Sequence, residues 1–376
     1  MNVLFPIGYI YPAENGGPAL TIYWLAKALI KNNINVSIIS TDNFTNNKII
    51  PDTWLDTTFG KVIYLKTGDP NYSIRFILYT LRRIKKYDII IITSVFAPSS
   101  IFFSLFAMIF KKKIIVSPRG ELDSQALVYK TGFKRMILKI YNSLSEKYLT
   151  FHVTSNLEMS FLRKVIHNKF NVVLIPNYLN LPISIRHNPE KNYLLFVGRF
   201  HAKKAIENLI LALSYSSIFK NSDFIFKLAG DYKNEYGSMI LRLINDLNLQ
   251  NKIFLIGEIK NMEKELIYTN AFFTIVPSHT ENFCNVVIES LSHSTPVIAS
   301  KGTPWKEISD NYIGKWVNND PESLSKAIDE VIQMEKKEYL EMRKRSRIFI
   351  ENNYDIEIGV LKWNELFNRI LNFNHA

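Results

Sequence analysis

One stretch of the chain decides the fold: Ser278-His-Thr-Glu281-Asn-Phe-Cys-Asn-Val-Val-Ile-Glu289, which runs on into Pro296-Val-Ile-Ala-Ser300. The apolar residues before this stretch predict a buried strand that ends at Pro277, and those between the two glutamates predict a buried helix. Glu281 therefore precedes a helix, and Glu289 lies inside it. A strand that feeds a helix in this way is typical of an open α/β sheet, where ligands bind at the carboxyl ends of strands.

The chemistry of this turn favours a nucleotide sugar. Free backbone N–H groups at the start of a helix suit a phosphate. Carboxylates would repel a phosphate, so the expected partners of Glu281 and Glu289 are neutral hydroxyl groups. The stretch therefore predicts a diphosphate at the helix end and hydroxyl groups on the two glutamates.

The rest of the chain repeats the strand-then-helix pattern, which predicts parallel sheets. The fold class is α/β, with two Rossmann-like domains facing a central cleft: residues 1–180, a linker at 181–192, and residues 193–355. The final segment, 356–376, is predicted to be a helix, and its return to the first domain is one placement that the pattern allows. Twelve strands are predicted: 2–7, 35–39, 61–65, 88–93, 113–117, 149–154, 171–175, 193–197, 224–229, 252–256, 272–276 and 296–299.

Length and composition set limits on the class of protein. The chain has 376 residues, of which 47% are hydrophobic, and it has one cysteine. A single cysteine excludes an intramolecular disulfide framework and favours a reducing cytoplasm. The N-terminus does not resemble a signal peptide. Only residues 89–110 approach membrane-spanning length, and the Ser, Thr and Pro residues inside them predict a strand, a loop and a short helix instead.

The positive charge is concentrated in the first half. Residues 1–190 hold 23 Lys and Arg against 11 Asp and Glu, whereas residues 191–376 hold 23 of each. The first half is therefore expected to meet an anionic partner, such as nucleic acid, an anionic bilayer or a lipid-diphosphate substrate. A basic solvated surface explains the same count. Residues 72–86 resemble a basic amphipathic membrane helix, although the pattern favours a helix packed on the sheet with a basic outer face.

Three further segments at predicted strand ends are ligand candidates. Gly16-Gly17 lets the backbone approach a ligand closely, although the segment is neither a Walker loop nor a GxGxxG fingerprint. The loop Ser117–Asp123 offers Arg119, Glu121 and Asp123 to the expected cleft, or an internal salt bridge. Arg199 and Lys204 follow another strand and can neutralise a diphosphate without a metal. Neither an Asp-x-Asp pair nor a zinc-ligand spacing of histidines occurs in the sequence, so no metal and no cofactor are expected.

Together these segments resemble the retaining glycosyltransferases of family four, which have the GT-B fold. The resemblance covers nearly the whole chain. Its most specific part is the Glu-x7-Glu motif at Glu281 and Glu289, and Gly198-Arg199 with Lys203-Lys204 is its companion. Ser117-Pro-Arg-Gly and Gly302-Thr-Pro-Trp305 are similar to a bacterial branch that builds surface polysaccharides.

The resemblance implies a role for each matching residue. It places Arg199 and Lys204 on the donor diphosphate and Glu281 on hydroxyls of the transferred sugar, with Glu289 on the ribose diol. The backbone of Phe283, Cys284 and Asn285 is expected to line the sugar and phosphate. Gly16 and Gly17 are expected to touch the phosphate or the acceptor.

Four positions depart from the family pattern. Family members commonly have glycine where Asn282, Cys284 and Ala205 stand, and many have a histidine where this chain has Arg119. A catalytic histidine is therefore not expected here, and Arg119 is assigned either to phosphate binding or to ordering its loop.

The resemblance thus implies a hexosyl transfer from a nucleoside-diphosphate sugar to a glycan or lipid-linked acceptor, at the cytoplasm or the inner face of its membrane, without a metal. An epimerase or a phosphorylase on the same scaffold is the competing enzymatic hypothesis. A basic nucleic-acid-binding protein is the non-enzymatic one, and it lacks a recognisable binding motif.

Overall fold

The computed structural model describes residues 1–12, 17–43, 49–67, 73–127, 131–182 and 192–372. The chain divides into two compact units. The first consists of Met1–Asn180 together with Ile356–Ala376, and the second of Leu181–Asp355. Most of the segment expected to be a linker, residues 183–191, lies outside the described residues.

The first unit is built on an eight-stranded sheet with the order β3-β4-β2-β1-β5-β6-β7-β8. All neighbouring strands are parallel except β3 and β4, which are antiparallel. The strands are β1 Asn2–Pro6, β2 Asn35–Thr41, β3 Trp54–Thr57, β4 Gly60–Leu65, β5 Ile89–Ile92, β6 Lys113–Val116, β7 Leu149–Val153 and β8 Asn171–Leu174.

Helices cover both faces of this sheet, because its central strands are apolar on both sides. All four residues of β5 are buried isoleucines, as expected for a strand with helices above and below. One face packs against α1 and the C-terminal helix, and the other against α2, α3, α5 and α6. The helices are α1 Gly17–Lys31, α2 Ile74–Leu81, α3 Pro98–Ile109, α4 Ser124–Leu127, α5 Thr131–Ser143 and α6 Asn156–Val165.

The second unit has a six-stranded, fully parallel sheet with the order β11-β10-β9-β12-β13-β14. Its strands are β9 Tyr193–Val197, β10 Ile225–Ala229, β11 Ile253–Gly257, β12 Phe273–Val276, β13 Val297–Ser300 and β14 Gly314–Val317. Its helices are α7 Ile206–Tyr215, α8 Ser217–Asn221, α9 Glu235–Asp246, α10 Asn261–Asn270, α11 Asn285–Ser292, α12 Glu307–Asp310, α13 Pro321–Ile332 and α14 Lys336–Asn353.

The last helix, α15 (Ile356–Asn372), returns to the first unit, which was one of the predicted placements. At the start of this helix, Ile356 N donates a hydrogen bond to Leu179 O at 2.8 Å. Trp363 is 4% exposed, and its ring lies 4.7 Å from that of the buried His152. This helix therefore completes the core of the first unit.

The structure confirms the predicted α/β class and all twelve predicted strands, and it adds β3 and β14. Both additions are four-residue strands at sheet edges, and neither is fully buried. Polar residues interrupt both strands, Asp56 in β3 and Lys315 in β14, so neither has the continuous apolar run by which the other strands are detected. Within the described residues, no helix is long and apolar enough to cross a membrane.

We predict that Trp363→Ala destabilises the first unit by about 3–5 kcal/mol, because it removes a buried indole and leaves a cavity beside His152. Leu361→Ala is the matched control on the same helix. Leu361 is 63% exposed, so its truncation should change stability by less than about 0.5 kcal/mol. Denaturant unfolding monitored by fluorescence and circular dichroism measures both, and equal losses would contradict this packing.

Candidate donor site

The candidate site lies in the second unit, at the carboxyl ends of β9 and β12. These strands are neighbours in the sheet, although β10 and β11 come between them in the sequence. The chain passes from β9 toward one edge of the sheet and then returns to the other side of β9 as β12. In open α/β sheets such a reversal of strand order opens a crevice in which ligands bind.

The loop between β12 and α11 is held by contacts with the loop after β13. Glu281 N donates to Gly302 O at 2.9 Å, and Ser300 Oγ donates to Ser278 O at 2.5 Å. A side chain at Gly302 would put its Cβ 2.2 Å from His279 O, so this close approach requires glycine. The position of Glu281 is therefore set by backbone contacts as well as by its own side chain.

Lys204 and Glu281 form an ion pair at the centre of the site. The pair joins Lys204 Nζ to Glu281 Oε1, and both side chains are less than one-fifth exposed. Ser278 Oγ donates to the same carboxylate oxygen at 2.7 Å. Burial lowers the pKa of Lys204, but the charge of Glu281, the hydrogen bond to it and the neighbouring Cys284 together raise it by more, so that the pKa lies above its ordinary value. Lys204 is therefore a cation at neutral pH.

Arg199 supplies a second positive charge to the same side of the site. The side chain of Arg199 is exposed, and its positive charge is close enough to Lys204 to lower the pKa of that lysine. The loop that carries the two cations is joined to the Glu281 loop by a hydrogen bond from His279 N to Lys203 O at 2.9 Å. Arg199, Lys204 and Glu281 thus belong to one assembled cluster, as the sequence predicted.

Two of the positions where the family commonly has glycine adopt the left-handed backbone conformation. Ala205 has φ 48° and ψ 44°, and it immediately precedes α7. Cys284 has φ 69° and ψ 76°, and it immediately precedes α11. Glycine adopts this conformation without steric cost, whereas a residue with a Cβ does not. Asn282, the third such position, is not among the residues with positive φ.

Glu289 is the fifth residue of α11, and two side chains of α10 hold its carboxylate. Lys264 Nζ lies 2.9 Å from Glu289 Oε1, and Tyr268 Oη donates to Glu289 Oε2 at 3.0 Å. No motif in the sequence marks Lys264 or Tyr268, and both were missed. The only signal that could have found them is their spacing of four residues, which puts them on one face of a helix.

The turn before α11 is packed against aromatic side chains. Trp305 Nε1 donates to Phe283 O, and the two rings lie 5.2 Å apart in an edge-to-face arrangement. Cys284 is buried, and burial raises the pKa of its thiol well above the ordinary value. Asn285 is the first residue of α11. Trp305 therefore fixes the turn whose backbone is expected to line the ligand.

The sequence also predicted ligand-binding residues in the first unit, namely Gly16, Gly17 and Arg119. Gly16 lies outside the described residues, and Gly17 is the exposed first residue of α1. Arg119 has φ 53°, and its guanidinium donates to Asn177 Oδ1 at 2.6 Å. Burial lowers the pKa of Arg119 to about 10, although the charge of Glu158 raises it.

The Arg119 guanidinium lines a small pocket inside the first unit. The residues around it come from α1, from the segment after β8, from β7 and from α15: Thr21, Leu25, His152, Pro176, Asn177, Tyr178, Ile356 and Trp363. The Nε atom of Arg119 is buried, and no hydrogen-bond partner for it occurs among the described residues. Arg119 thus contacts the interior of its own unit.

The other two charged residues of the Arg119 loop are also used internally. Glu121 accepts hydrogen bonds from Ser94 Oγ at 2.8 Å, Val95 N at 2.6 Å and Phe96 N at 3.2 Å, just before α3. Asp123 is buried. The sequence predicted that these carboxylates face a cleft or form a salt bridge. In the structure, Glu121 instead accepts hydrogen bonds from the backbone of the loop before α3.

Comparison with known proteins finds a family match in the second unit. Residues 180–349 match the family described as Glycosyl transferases group 1. This part of the chain is therefore similar to that family. The match contains Arg199, Lys204, Glu281 and Glu289, so the whole candidate site lies inside the matched region.

Curated relatives agree with this match over part of their length. The chain is 30% identical over 229 residues to an uncharacterized glycosyltransferase, MJ1178, of Methanocaldococcus jannaschii, which covers 58% of this chain and 61% of that protein. It is 26% identical over 201 residues to the O-antigen chain mannosyltransferase RfbU of Salmonella typhimurium, covering 53% and 55%. The matched regions thus span less than two thirds of these relatives.

Solved structures share the fold along the whole chain. The sucrose-phosphate synthase of Thermosynechococcus elongatus has a TM-score of 0.78 at 18% identity, and the match covers 100% of both chains. Anabaena HepE in complex with UDP and glucose has a TM-score of 0.78 at 14% identity, covering 98% of this chain and 100% of that one. The fold is therefore that of the GT-B glycosyltransferases, with two Rossmann-like domains.

We predict that Ala205→Gly is tolerated much better than Ala212→Gly. Both alanines are fully buried, but Ala205 is left-handed and Ala212 lies inside α7. Relief of the left-handed conformation is worth about 1–2 kcal/mol, so the two variants should differ in stability by roughly that amount. Denaturant titration of both proteins measures the difference, and equal destabilisation would show that Ala205 is not strained.

Proposed function

We propose that this protein is a retaining glycosyltransferase that moves a hexose from a nucleoside-diphosphate sugar to a hydroxyl group of a glycan or lipid-linked acceptor. The observation that carries the proposal is the buried Lys204–Glu281 pair beside Arg199, at the start of α11 and at the carboxyl ends of β9 and β12. This arrangement puts two cations that can bind a diphosphate next to a carboxylate that can accept hydrogen bonds from sugar hydroxyls. A role in surface-polysaccharide synthesis is supported by the similarity to an O-antigen chain mannosyltransferase.

In the proposed mechanism the cations stabilise the leaving group. Negative charge develops on the diphosphate as the bond to the sugar breaks, and Arg199, Lys204 and the first N–H groups of α11 are the groups that neutralise it. A phosphate oxygen of the leaving group accepts the proton of the attacking hydroxyl. The sugar then keeps its anomeric configuration without a protein nucleophile. Two protein cations replace a divalent metal in this scheme.

Glu281 orients the transferred sugar. Its contacts to Lys204 and Ser278 both fall on Oε1, so Oε2 is available, among the described residues, to accept from a sugar hydroxyl. On donor binding, Lys204 turns from the carboxylate to the diphosphate. Phe283, Cys284 and Asn285 contribute backbone atoms, and Glu289 accepts from the ribose diol.

We assign binding of the acceptor to the first unit, where Gly17, the exposed first residue of α1, is a candidate contact. For Arg119, the hydrogen bond to Asn177 and the buried guanidinium support a role in ordering its loop. A HepE structure contains UDP and glucose, which supports a UDP-sugar as the first donor to test.

The decisive experiment is a transfer assay with UDP- and GDP-hexoses, a lipid-linked acceptor and EDTA, followed by determination of the anomer formed. We expect Lys204→Ala and Glu281→Ala each to lower turnover by about 100-fold or more, because each removes a charge that acts on the reacting sugar or its leaving group. Circular dichroism and thermal melting check that both variants remain folded.

Lys315→Ala and Glu330→Ala are the matched controls. They break an ion pair of 2.5 Å on the surface of the same unit, and turnover should stay near the wild-type value. Wild-type turnover in Glu281→Ala would overturn the assignment. Inversion at the anomeric carbon or loss of activity in EDTA would overturn the retaining or metal-free mechanism, and conversion of the donor without an acceptor would indicate an epimerase.

We also propose that the first unit docks on an anionic membrane at the inner face of the cytoplasmic membrane. The surface in question, which we call the basic three-helix face, is the outer side of residues 74–86, 98–112 and 132–143. These segments contain ten Lys and Arg and no Asp or Glu. Contacts join α2 to α3, and Ser104 of α3 approaches Tyr141 of α5 at 3.4 Å.

Each helix of the basic three-helix face also exposes apolar side chains at helical spacing. The exposed apolar residues are Ile74 and Leu78 on α2, Phe102 and Ile109 on α3, and Phe133 and Met136 on α5. Apolar residues among cations are typical of surfaces that lie in the headgroup region of a bilayer. Each Lys or Arg near an anionic surface contributes about 1 kcal/mol.

We predict that the protein co-sediments with vesicles containing phosphatidylglycerol. Salt at about 0.5 M should weaken this binding, because the Debye length then shortens to a few ångströms. The triple variant Arg82→Glu, Lys85→Glu and Lys86→Glu should lose binding. The exposed lysines 326, 336 and 337 of the second unit, changed to Glu together, form the matched control. Equal binding to neutral vesicles, or no difference between the triple variants, would contradict electrostatic docking.

A further inference from the structure

The carboxylate of Glu289 is held from two sides by α10. Lys264 and Tyr268 are four residues apart, which puts them on one face of that helix, and this face packs against α11. Lys264 Nζ contacts Oε1, and Tyr268 Oη donates to Oε2. Each carboxylate oxygen can accept two hydrogen bonds, so one acceptor position on each oxygen remains.

We propose that Lys264 and Tyr268 are positioning residues that hold Glu289 ready to accept hydrogen bonds from both ribose hydroxyls of the donor nucleotide. This inference rests on the proposed function, because it assumes that Glu289 binds the ribose. The two hydroxyls of a ribose diol lie on the same side of the ring, and a carboxylate with fixed orientation offers them two matching oxygens. A freely rotating carboxylate would first have to be ordered, at a cost to binding.

Tyr268 is rigid enough for this role. Its side chain is fully buried, its ring stacks on His293 at 5.4 Å, and its backbone oxygen accepts from Thr295 Oγ1 at 2.6 Å. Burial raises the pKa of Tyr268 well above 10, and the charge of Glu289 raises it further. The phenol therefore stays protonated and can only donate to the carboxylate oxygen at neutral pH.

Lys264 makes a weaker contribution to the orientation. Its side chain is 30% exposed, and that of Glu289 is 14% exposed. A partly solvated ion pair contributes less than a buried hydrogen bond of fixed geometry. Lys264 supplies the charge that offsets the carboxylate near the diphosphate, and Tyr268 supplies the fixed direction.

The test compares binding of a nucleoside diphosphate with binding of its 2′,3′-dideoxy analogue, measured by calorimetry on the full chain. UDP, GDP and their dideoxy forms are the probes. We expect wild type to prefer the ribose form and Glu289→Ala to lose that preference. Tyr268→Phe should weaken binding of the ribose form by roughly tenfold, the usual effect of a hydrogen bond to a charged group, and leave the dideoxy form unchanged.

Two further variants make the result unambiguous. Tyr339→Phe is the matched control: it removes another buried tyrosine hydroxyl of the same unit, one that accepts from Arg343 at 3.1 Å. It should keep the ribose preference. Lys264→Gln should show the pattern of Tyr268→Phe at smaller amplitude, and it provides the same measurement if Tyr268→Phe does not fold.

The outcomes separate the inference from the proposed function. If wild type and Tyr268→Phe show the same ribose preference while Glu289→Ala loses it, the positioning role is wrong and the donor site stands. If Tyr268→Phe weakens the ribose and dideoxy forms equally, the hydroxyl acts on the structure alone, and the inference is wrong. If wild type binds neither nucleotide, or shows no ribose preference, the role of Glu289 in the proposed function fails as well.

Discussion

The candidate site depends on one topological constraint, the reversal of strand order around β9. Lys204 and Glu281 are 77 residues apart in the chain, yet their side chains form an ion pair. They meet because β9 and β12 are adjacent and parallel, which brings their carboxyl ends to the same edge of the sheet. Every other residue of the site is placed relative to these two ends, either by the loops after them or by α10 and α11.

Charge balance stabilises the two largely buried carboxylates of the candidate site. Each glutamate of the Glu-x7-Glu motif has an ammonium partner, Lys204 for Glu281 and Lys264 for Glu289. Two unpaired carboxylates here would repel an anionic ligand and would be costly to desolvate. In this structure the two lysines offset both negative charges, and Arg199 adds a positive one. In the proposed mechanism Lys204 leaves Glu281 only when the diphosphate binds, and the charges of Lys204 and Arg199 then offset that of the diphosphate.

The two units use their charged residues in different ways. In the Arg119 loop, Arg119 donates to Asn177 and Glu121 caps the turn before α3, so these charges stabilise the first unit from within. Ten Lys and Arg lie instead in or just after α2, α3 and α5, in segments that contain no Asp or Glu. The interpretation of the first half as a basic surface therefore concerns these helices, and not the loop that motif reading singled out.

The sequence by itself determined the α/β class and twelve of the fourteen described strands, because apolar runs are local properties. It also singled out Arg199, Lys204, Glu281 and Glu289 as candidate site residues, and Ala205 and Cys284 as departures from glycine, to which their positive φ gives a physical meaning. Only the tertiary structure brought Lys204 to Glu281 and decided which other residues hold the two glutamates. Lys264, Tyr268 and Ser278 act on Glu289 or Glu281 through contacts that depend on helix packing and loop conformation. The same holds for Arg119, whose partner Asn177 is 58 residues away, after β8, and is reached when β6, β7 and β8 lie side by side.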